Sequence, residues 1–262
     1  MADFLDTLGQ DAKKTINEGY YKVAEQSPVK FLSLKKAILE CKGVPIIAEI
    51  KVASPSLGMI KEKADVEKIA VDMENGGAVG ISVLTEPKHF KGSLGSFVKV
   101  RQKVELPLLM KDIIIASSQL EAASKIGANA ILLIQALFDR GYCEYGVDEM
   151  IAYAHSRNLE VLLEVHTEKE FLSALYTDAD LIGINNRNLG TLEVNLETTR
   201  RIMKAFGSQG KIVVSESGIK TRDDLRLLRD HGVRAFLIGS SIMLSDDIGR
   251  AVEEFTAAYE NG

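Results

Sequence analysis

Cysteine and histidine are scarce in this 262-residue chain, two of the first and four of the second, and the shortage removes whole classes of site. Cys41 and Cys143 have no metal-ligand spacing, and among His89, His155, His166 and His231 none pairs with another at the interval of a metal motif. No metal is implied, and the setting reads as reducing and cytoplasmic. A basic excess is missing too. With 32 Lys and Arg against 37 Asp and Glu, the formal net charge is −5, which argues against a general nucleic-acid or anionic-membrane surface. Any anion has to be met locally. No apolar stretch approaches the roughly 20 residues that span a bilayer. The opening Met-Ala-Asp-Phe-Leu-Asp lacks both the basic end and the apolar run of a signal peptide. Low-complexity and linker-like segments are absent as well. What remains is ordinary globular material, 46% hydrophobic and 26% charged, with ample core for a single large domain.

Eight apolar runs organise that material: 46–50, 80–84, 106–110, 130–134, 160–163, 181–184, 211–214 and 235–238. Most are continuously apolar, as strands buried on both faces must be. The gaps hold stretches of helical character, such as Glu67-Ile69-Ala70-Met73 and Leu225-Leu227-Leu228. Repeated strand–helix units favour a parallel sheet, and eight of them in this length fit one closed α/β (β/α)8 TIM barrel of about 250 residues. Residues 45–262 are assigned to the barrel. Residues 1–44 read as an N-terminal helical extension, with apolar positions at Phe4-Leu5-Leu8 and Phe31-Leu32-Leu34-Ala37-Ile38, expected to cap the bottom or side of the barrel within one structural domain.

Polar residues end one apolar run after another, and in this fold the strand ends share one mouth. Alternation places Glu49 with Lys51, Leu109 with Lys111, Leu162 with Glu164, and Asn185 with Arg187 on shared faces. Lysines and glutamates are almost never fully buried unpaired, so Lys51, Lys111, Glu164 and Glu49 must compensate one another or meet a ligand. Glu49 fits two roles equally, direct chemistry or holding its neighbouring lysine. Asn185 and Arg187 either contact a ligand or cap the turn that follows.

The last two strands bring a different signal. Ser215-Glu216-Ser217-Gly218-Ile219 and Ile238-Gly239-Ser240-Ser241 put glycine and serine directly after apolar runs, so that backbone N–H groups can approach an oxyanion with no Cβ in the way. Loops after the seventh and eighth barrel strands commonly bind phosphate. Ser54-Pro55-Ser56, after the first strand, either reaches the same phosphate or only makes a turn.

At these residues the chain closely resembles the indole-3-glycerol phosphate synthase family. The resemblance is carried by Ile47-Ala48-Glu49-Ile50-Lys51 with Ala53-Ser54-Pro55-Ser56, Leu109-Met110-Lys111-Asp112, Leu163-Glu164-Val165-His166, Ile184-Asn185-Asn186-Arg187-Asn188-Leu189 and Ser215-Glu216-Ser217-Gly218-Ile219. Ser82-Val83-Leu84-Thr85-Glu86 and Phe90-Lys91-Gly92-Ser93 are similar to the same family, and the order matches from about Ala48 to Met243. The resemblance implies a cofactor-independent carboxy-lyase of tryptophan biosynthesis. Its substrate is a phosphorylated small molecule, 1-(2-carboxyphenylamino)-1-deoxyribulose 5-phosphate, and other enzymes of that pathway are possible partners.

The same resemblance casts Lys111 as general acid at the ketone oxygen and Lys51 as a second acid or a clamp on the carboxylate. Glu164, with Lys51, serves the final dehydration, and Glu49 orients Lys51. Asn185 and Arg187 hold hydroxyls or carboxylate, and Ser54, Ser217, Gly218, Gly239 and Ser240 take the phosphate. Phe90, Leu133 and Leu189 are candidates for the wall of the aromatic ring, though core packing explains Leu133 equally well. Departures from the family pattern are Ile113, where a phenylalanine usually follows Lys-Asp, and Val52 and Leu57, where the first loop often has lysines. An aromatic partner for the substrate ring is then lost or supplied elsewhere.

Overall fold

The computed structural model describes residues 3–24, 31–54, 58–61 and 64–258. Eight strands pair in parallel: β1 (Ile46–Ile50), β2 (Gly80–Leu84), β3 (Leu108–Lys111), β4 (Ala130–Ile134), β5 (Glu160–Val165), β6 (Leu181–Asn185), β7 (Val213–Glu216) and β8 (Ala235–Ile238). They follow chain order around a closed barrel, and β1 completes the ring against β8 through Ile46↔Phe236 and Ala48↔Ile238. This is the (β/α)8 TIM barrel. Two extensions, α1 (Phe4–Asn17) and α2 (Leu34–Glu40), precede it.

The crossovers are α3 (Val66–Asn75), α4 (Leu94–Arg101), α5 (Ser117–Lys125), then α6 (Gln135–Asp139) with α7 (Val147–Ser156), and α8 (Glu168–Leu175). After β6 come α9 (Glu197–Phe206), α10 (Arg222–Asp230), and finally α11 (Ser240–Met243) with α12 (Ile248–Thr256). Many start where a short polar side chain can accept an otherwise orphaned N–H. Ser33, Asp65, Ser93, Thr167, Thr221 and Asp247 each cap the backbone three residues on. Burial then selects the inward face: in α10 Leu225 and Leu228 are fully buried while Leu227 stays exposed. Among the described residues no helix is long and apolar enough to cross a membrane.

Strand alternation divides the core in two. Ile47, Leu109, Leu132, Leu162, Val214 and Leu237 fill the barrel lumen. Their neighbours Ile46, Ala48, Ile131, Leu133, Val161, Leu163 and Phe236 face outward to the helices, where Phe97 and Phe171 pack. Leu133 therefore belongs to the helix layer rather than to a ligand wall, and its strand mates Leu132 and Ile134 take the inward positions.

The extension covers both ends of the barrel, where the sequence pattern suggested the bottom or side. α2 closes the N-terminal end. Leu34 and Ile38 join the lumen cluster, Ser33 Oγ and the Lys35 N–H bond the carboxylate of Glu160 at the start of β5, and Arg234, just before β8, donates to the Ile38 carbonyl at 3.4 Å. α1 lies at the opposite end, across the mouth. Leu5 and Leu8 bury there, at ~1.5–3 kcal/mol each for full burial of such a side chain. Its first turn is tied to the loop beyond β4 by Arg140, which pairs with Asp3 at 2.6 Å and Asp6 at 2.9 Å. Partly exposed pairs of this kind are individually weak, so apolar burial holds α1 and the charges set its register.

Candidate active site

A cavity of about 480 Å³ opens at the C-terminal ends of the strands. All twelve site residues expected from the sequence line it: Glu49, Lys51, Ser54, Phe90, Lys111, Glu164, Asn185, Arg187, Ser217, Gly218, Gly239 and Ser240. Pro55, Ser56 and Leu57 lie outside the described residues. Sequence-distant groups meet here because the barrel delivers eight strand ends to one place.

Two charged constellations occupy the floor. In the first, Lys51 Nζ donates to Glu49 Oε1 at 2.7 Å. In the second, Lys111 Nζ stands between two carboxylates, 2.7 Å from Glu216 Oε2 and 3.4 Å from Glu164 Oε2. Burial alone would depress the Lys111 ammonium, but the carboxylates of Glu216, Glu164 and Glu49 outweigh it and raise its pKa well above the ordinary value. Lys111 is thus an ammonium with carboxylates on either hand. Glu49 shows the same balance with the opposite sign: burial pushes its carboxyl up, and Lys51 and Lys111 pull it below the usual range. For Glu216 burial wins, and despite Lys111 its pKa is pushed up to about 7.

Glu216 is the residue the sequence reading missed as a member of the site. In the sequence Glu216 sits inside a Ser-Glu-Ser-Gly segment whose signal is its serine and glycine, because the apolar run stops at Val214. The strand continues, Asn185 pairs with Glu216, and alternation from the lumen residue Val214 turns Glu216 inward. Applying the same parity that placed Glu164 after Leu162 would have found it.

Much of the cavity wall is apolar. Phe4 and Leu8 of α1, Phe90, Ile113, Leu132, Ile134 and Leu189 all reach the cavity. Phe90 is placed by Glu86, whose carboxylate accepts the N–H groups of Lys88, His89 and Phe90 at 2.8, 2.7 and 2.9 Å. Asp112 anchors the segment after Lys111. It accepts from Thr85 Oγ1 at 2.5 Å, the Ile113 N–H at 2.7 Å and Tyr21 OH at 3.0 Å, and burial pushes its carboxyl up to about 6. Through Tyr21 the extension thus touches the carboxylate of the residue next to the central lysine.

At the other side, Ser217 (φ 66°) and Gly218 (φ 82°) both adopt the left-handed conformation, uncommon for serine and ordinary for glycine. Asn186 Nδ2 stabilises this turn, 3.0 Å from each of Ser215 Oγ, Glu216 O and Ser217 O. Gly239 is the N-cap of α11, and Ser240 its first residue. Asn185 and Arg187 line the cavity and also cap the local turn: Asn185 Oδ1 accepts the Arg187 N–H at 2.9 Å, and the guanidinium donates to Leu192 O at 3.0 Å. Of the two roles left open by the sequence, the capping of the turn is realised, by side chains that also face the cavity.

Comparison with known proteins fits this geometry. The sequence model described as indole-3-glycerol phosphate synthase matches residues 8–255. Relatives of that name include one from Methanocaldococcus jannaschii, 44% identical over 86% of this chain and 83% of its own length. One from Campylobacter fetus is 42% identical over 84% of each chain. One from Lachnospira eligens is 36% identical over 97% of each. Among solved structures, a thiamine phosphate pyrophosphorylase from Pyrococcus furiosus superposes with a TM-score of 0.61 at 19% identity, covering 87% of this chain and 98% of its own, a likeness of fold alone.

Proposed function

The chain belongs to the indole-3-glycerol phosphate synthase family, carboxy-lyases of tryptophan biosynthesis, and from that premise we propose how its residues divide the reaction. The observation that carries the assignment is Lys111, an ammonium held between Glu216 and Glu164 at the floor of the mouth. Ring closure joins the carboxylate-bearing ring carbon to the ketone carbon, and the ketone oxygen needs a proton as it becomes a hydroxyl. Lys111 supplies it, its positive charge also countering the developing oxyanion. The iminium-like ring then absorbs the electron pair released as carbon dioxide leaves. Dehydration takes one proton from carbon and expels the hydroxyl as water, with Glu164 as base and Lys51, oriented by Glu49, as acid.

The binding ends follow the same geometry. Ser217, Gly218, Gly239, Ser240 and Ser54 take the phosphate, with the N-terminal end of α11 adding backbone donors. Arg187, whose planar fork matches a carboxylate, and Asn185 hold the substrate's carboxylate and hydroxyls. Phe4 and Phe90 supply the aromatic contact that Ile113 does not. Ser217→Asp is expected to raise KM by about tenfold or more with a smaller effect on kcat, because a fixed negative charge would face the phosphate. An unchanged KM would remove Ser217 from the phosphate site.

Glu216 is assigned the positioning of Lys111, which requires its ionised form. With its carboxyl at about 7, kcat is expected to climb as pH rises through that value. The limb belongs to the cluster of Glu216, Lys111, Glu164 and Glu49 as a unit, and Glu216→Gln should flatten it. The same shift acts on stability in the opposite sense. Between the ordinary 4.5 and about 7 the native state holds a proton that the unfolded chain has released, so this group's contribution weakens as pH rises through that window. A pH–rate profile of the two proteins checks the assignment, and an undiminished limb in Glu216→Gln refutes it.

The direct test mixes protein with the carboxyphenylamino-deoxyribulose phosphate and follows indole emission. The chain has no tryptophan, so the product signal rises from a tyrosine-only background. Saturable binding without emission would reduce the protein to a metabolite-binding barrel.

A further inference from the structure

We propose that Gly183, on β6, is a positioning residue for the ring-closing lysine: its missing side chain is the notch in which the Glu216 carboxylate is seated. The inference rests on the assignment of Lys111 and Glu216 above and adds a residue that neither touches substrate nor carries any functional group.

Gly183 sits between Leu181 and Asn185 in β6, buried, and pairs with Glu164 on one side and Val214 on the other. Its two strand mates of the same parity face the lumen and the cavity. It lies within a regular strand and its φ is not in the left-handed range, so the backbone does not require glycine. Glycine inside a strand weakens it and often marks the close approach of another group. Here the approaching group is identifiable. A Cβ at this position would overlap Glu216 Oε1 and stand 3.2 Å from Glu216 Cδ, with Leu162 Cδ1 at 3.3 Å.

The two oxygens of that carboxylate are held differently. Oε2 receives the Lys111 ammonium at 2.7 Å, whereas Oε1 is buried and has no hydrogen-bond partner among the described residues. Shape alone therefore seats Oε1. Filling the notch would push the carboxylate aside, since the end of a side chain gives way more readily than a strand. The displacement would pass to Lys111, altering its position relative to Glu164 and to the ketone oxygen it must reach. A misplacement of about 1 Å at a reacting group can cost about 10²-fold in rate. The other lysine shows the same construction. A Cβ on Gly239, just past β8, would overlap Glu49 Oε1 and lie 3.1 Å from Glu49 Cδ, and Glu49 holds Lys51. Because Gly239 is also assigned to the phosphate, Gly183 gives the separable test.

Steady-state kinetics of Gly183→Ala, Glu216→Asp, Glu216→Gln and the Gly183→Ala/Glu216→Asp pair decide the matter. Gly183→Ala is expected to lower kcat by about 10- to 100-fold with KM within about threefold. In the Glu216→Asp background, where the carboxylate is withdrawn by one methylene, the same glycine substitution should cost at most about threefold. Equal losses in both backgrounds would overturn the notch, as would near-normal kcat in Gly183→Ala while Glu216→Gln is impaired. Near-normal kcat in both Gly183→Ala and Glu216→Gln would instead overturn the role of Glu216 itself. Should Gly183→Ala fail to fold, Gly183→Ala/Glu216→Ala, which removes the colliding carboxylate, is expected to melt as a folded protein; failure of that pair to fold would also overturn the proposal.

Discussion

Replacing Lys111 by alanine is expected to abolish indole formation, with a loss of at least about 10²–10⁴-fold in kcat, while substrate still binds within a few-fold of normal affinity. The rate falls because, among the described residues, no other lysine pairs with Glu164 or Glu216. Binding survives because the proposed phosphate grip lies on the loops after β7 and β8, and the aromatic wall is built from α1 and the loop after β2. The objection is that removing one partner of a buried pair commonly costs ~3–5 kcal/mol, by stranding a charge. Glu216 has a way out. Its carboxyl already sits at about 7, and without the lysine it would take up a proton rather than remain an uncompensated anion. The variant should therefore melt as a folded protein, and calorimetric binding beside the fluorescence assay separates the two effects. Near-normal turnover would transfer the acid's role to Lys51.

Glu164→Gln is expected to slow turnover by about 10²-fold or more with KM little changed, since glutamine keeps the shape but loses the basic site and the negative charge beside Lys111. Its side chain is only 4% exposed, so water cannot easily substitute for it. The step affected is specified by the chemistry. If Glu164 takes the proton lost in dehydration, carbon dioxide will be released ahead of indole, and a single-turnover experiment will show a lag between the two signals. Release and indole emission slowed in step would place Glu164 before decarboxylation and refute the assignment to dehydration.

How much of this was legible in sequence depends on what each pattern encodes. The runs 46–50, 80–84, 130–134 and 235–238 coincide with β1, β2, β4 and β8 to the residue. β3, β5, β6 and β7 run on past the ends of their apolar runs, taking in Lys111, Glu164, Asn185 and Glu216, and β3 and β7 begin two residues later than the runs 106–110 and 211–214. Hydrophobicity reports burial, whereas a strand is a backbone ladder, and at the mouth of a barrel the ladder persists beneath polar side chains. That mismatch hid Glu216. Leu133 stayed open between ring wall and core packing for a related reason: in a run of apolar residues buried on both faces, nothing in the letters says which parity looks inward. For α1, helical periodicity revealed an apolar stripe but not which end of the barrel would receive it.

The placement of α1 has a consequence for how the chain comes to be active. Asp3 meets Arg140 across 137 residues of sequence, and β1 finds its second neighbour only in β8. A growing polypeptide would therefore emit α1 before the strands it covers and be able to seat it only after half the barrel exists. Closure of the ring waits for the final strand. Folding of such distant pairings is slow, because chain entropy is lost before the contacts that reward it can form. A chain interrupted before β8 would thus carry Lys51, Lys111, Glu164 and Glu216 on strands that no closed ring yet holds together, with the edge of β1 open to pair with another chain.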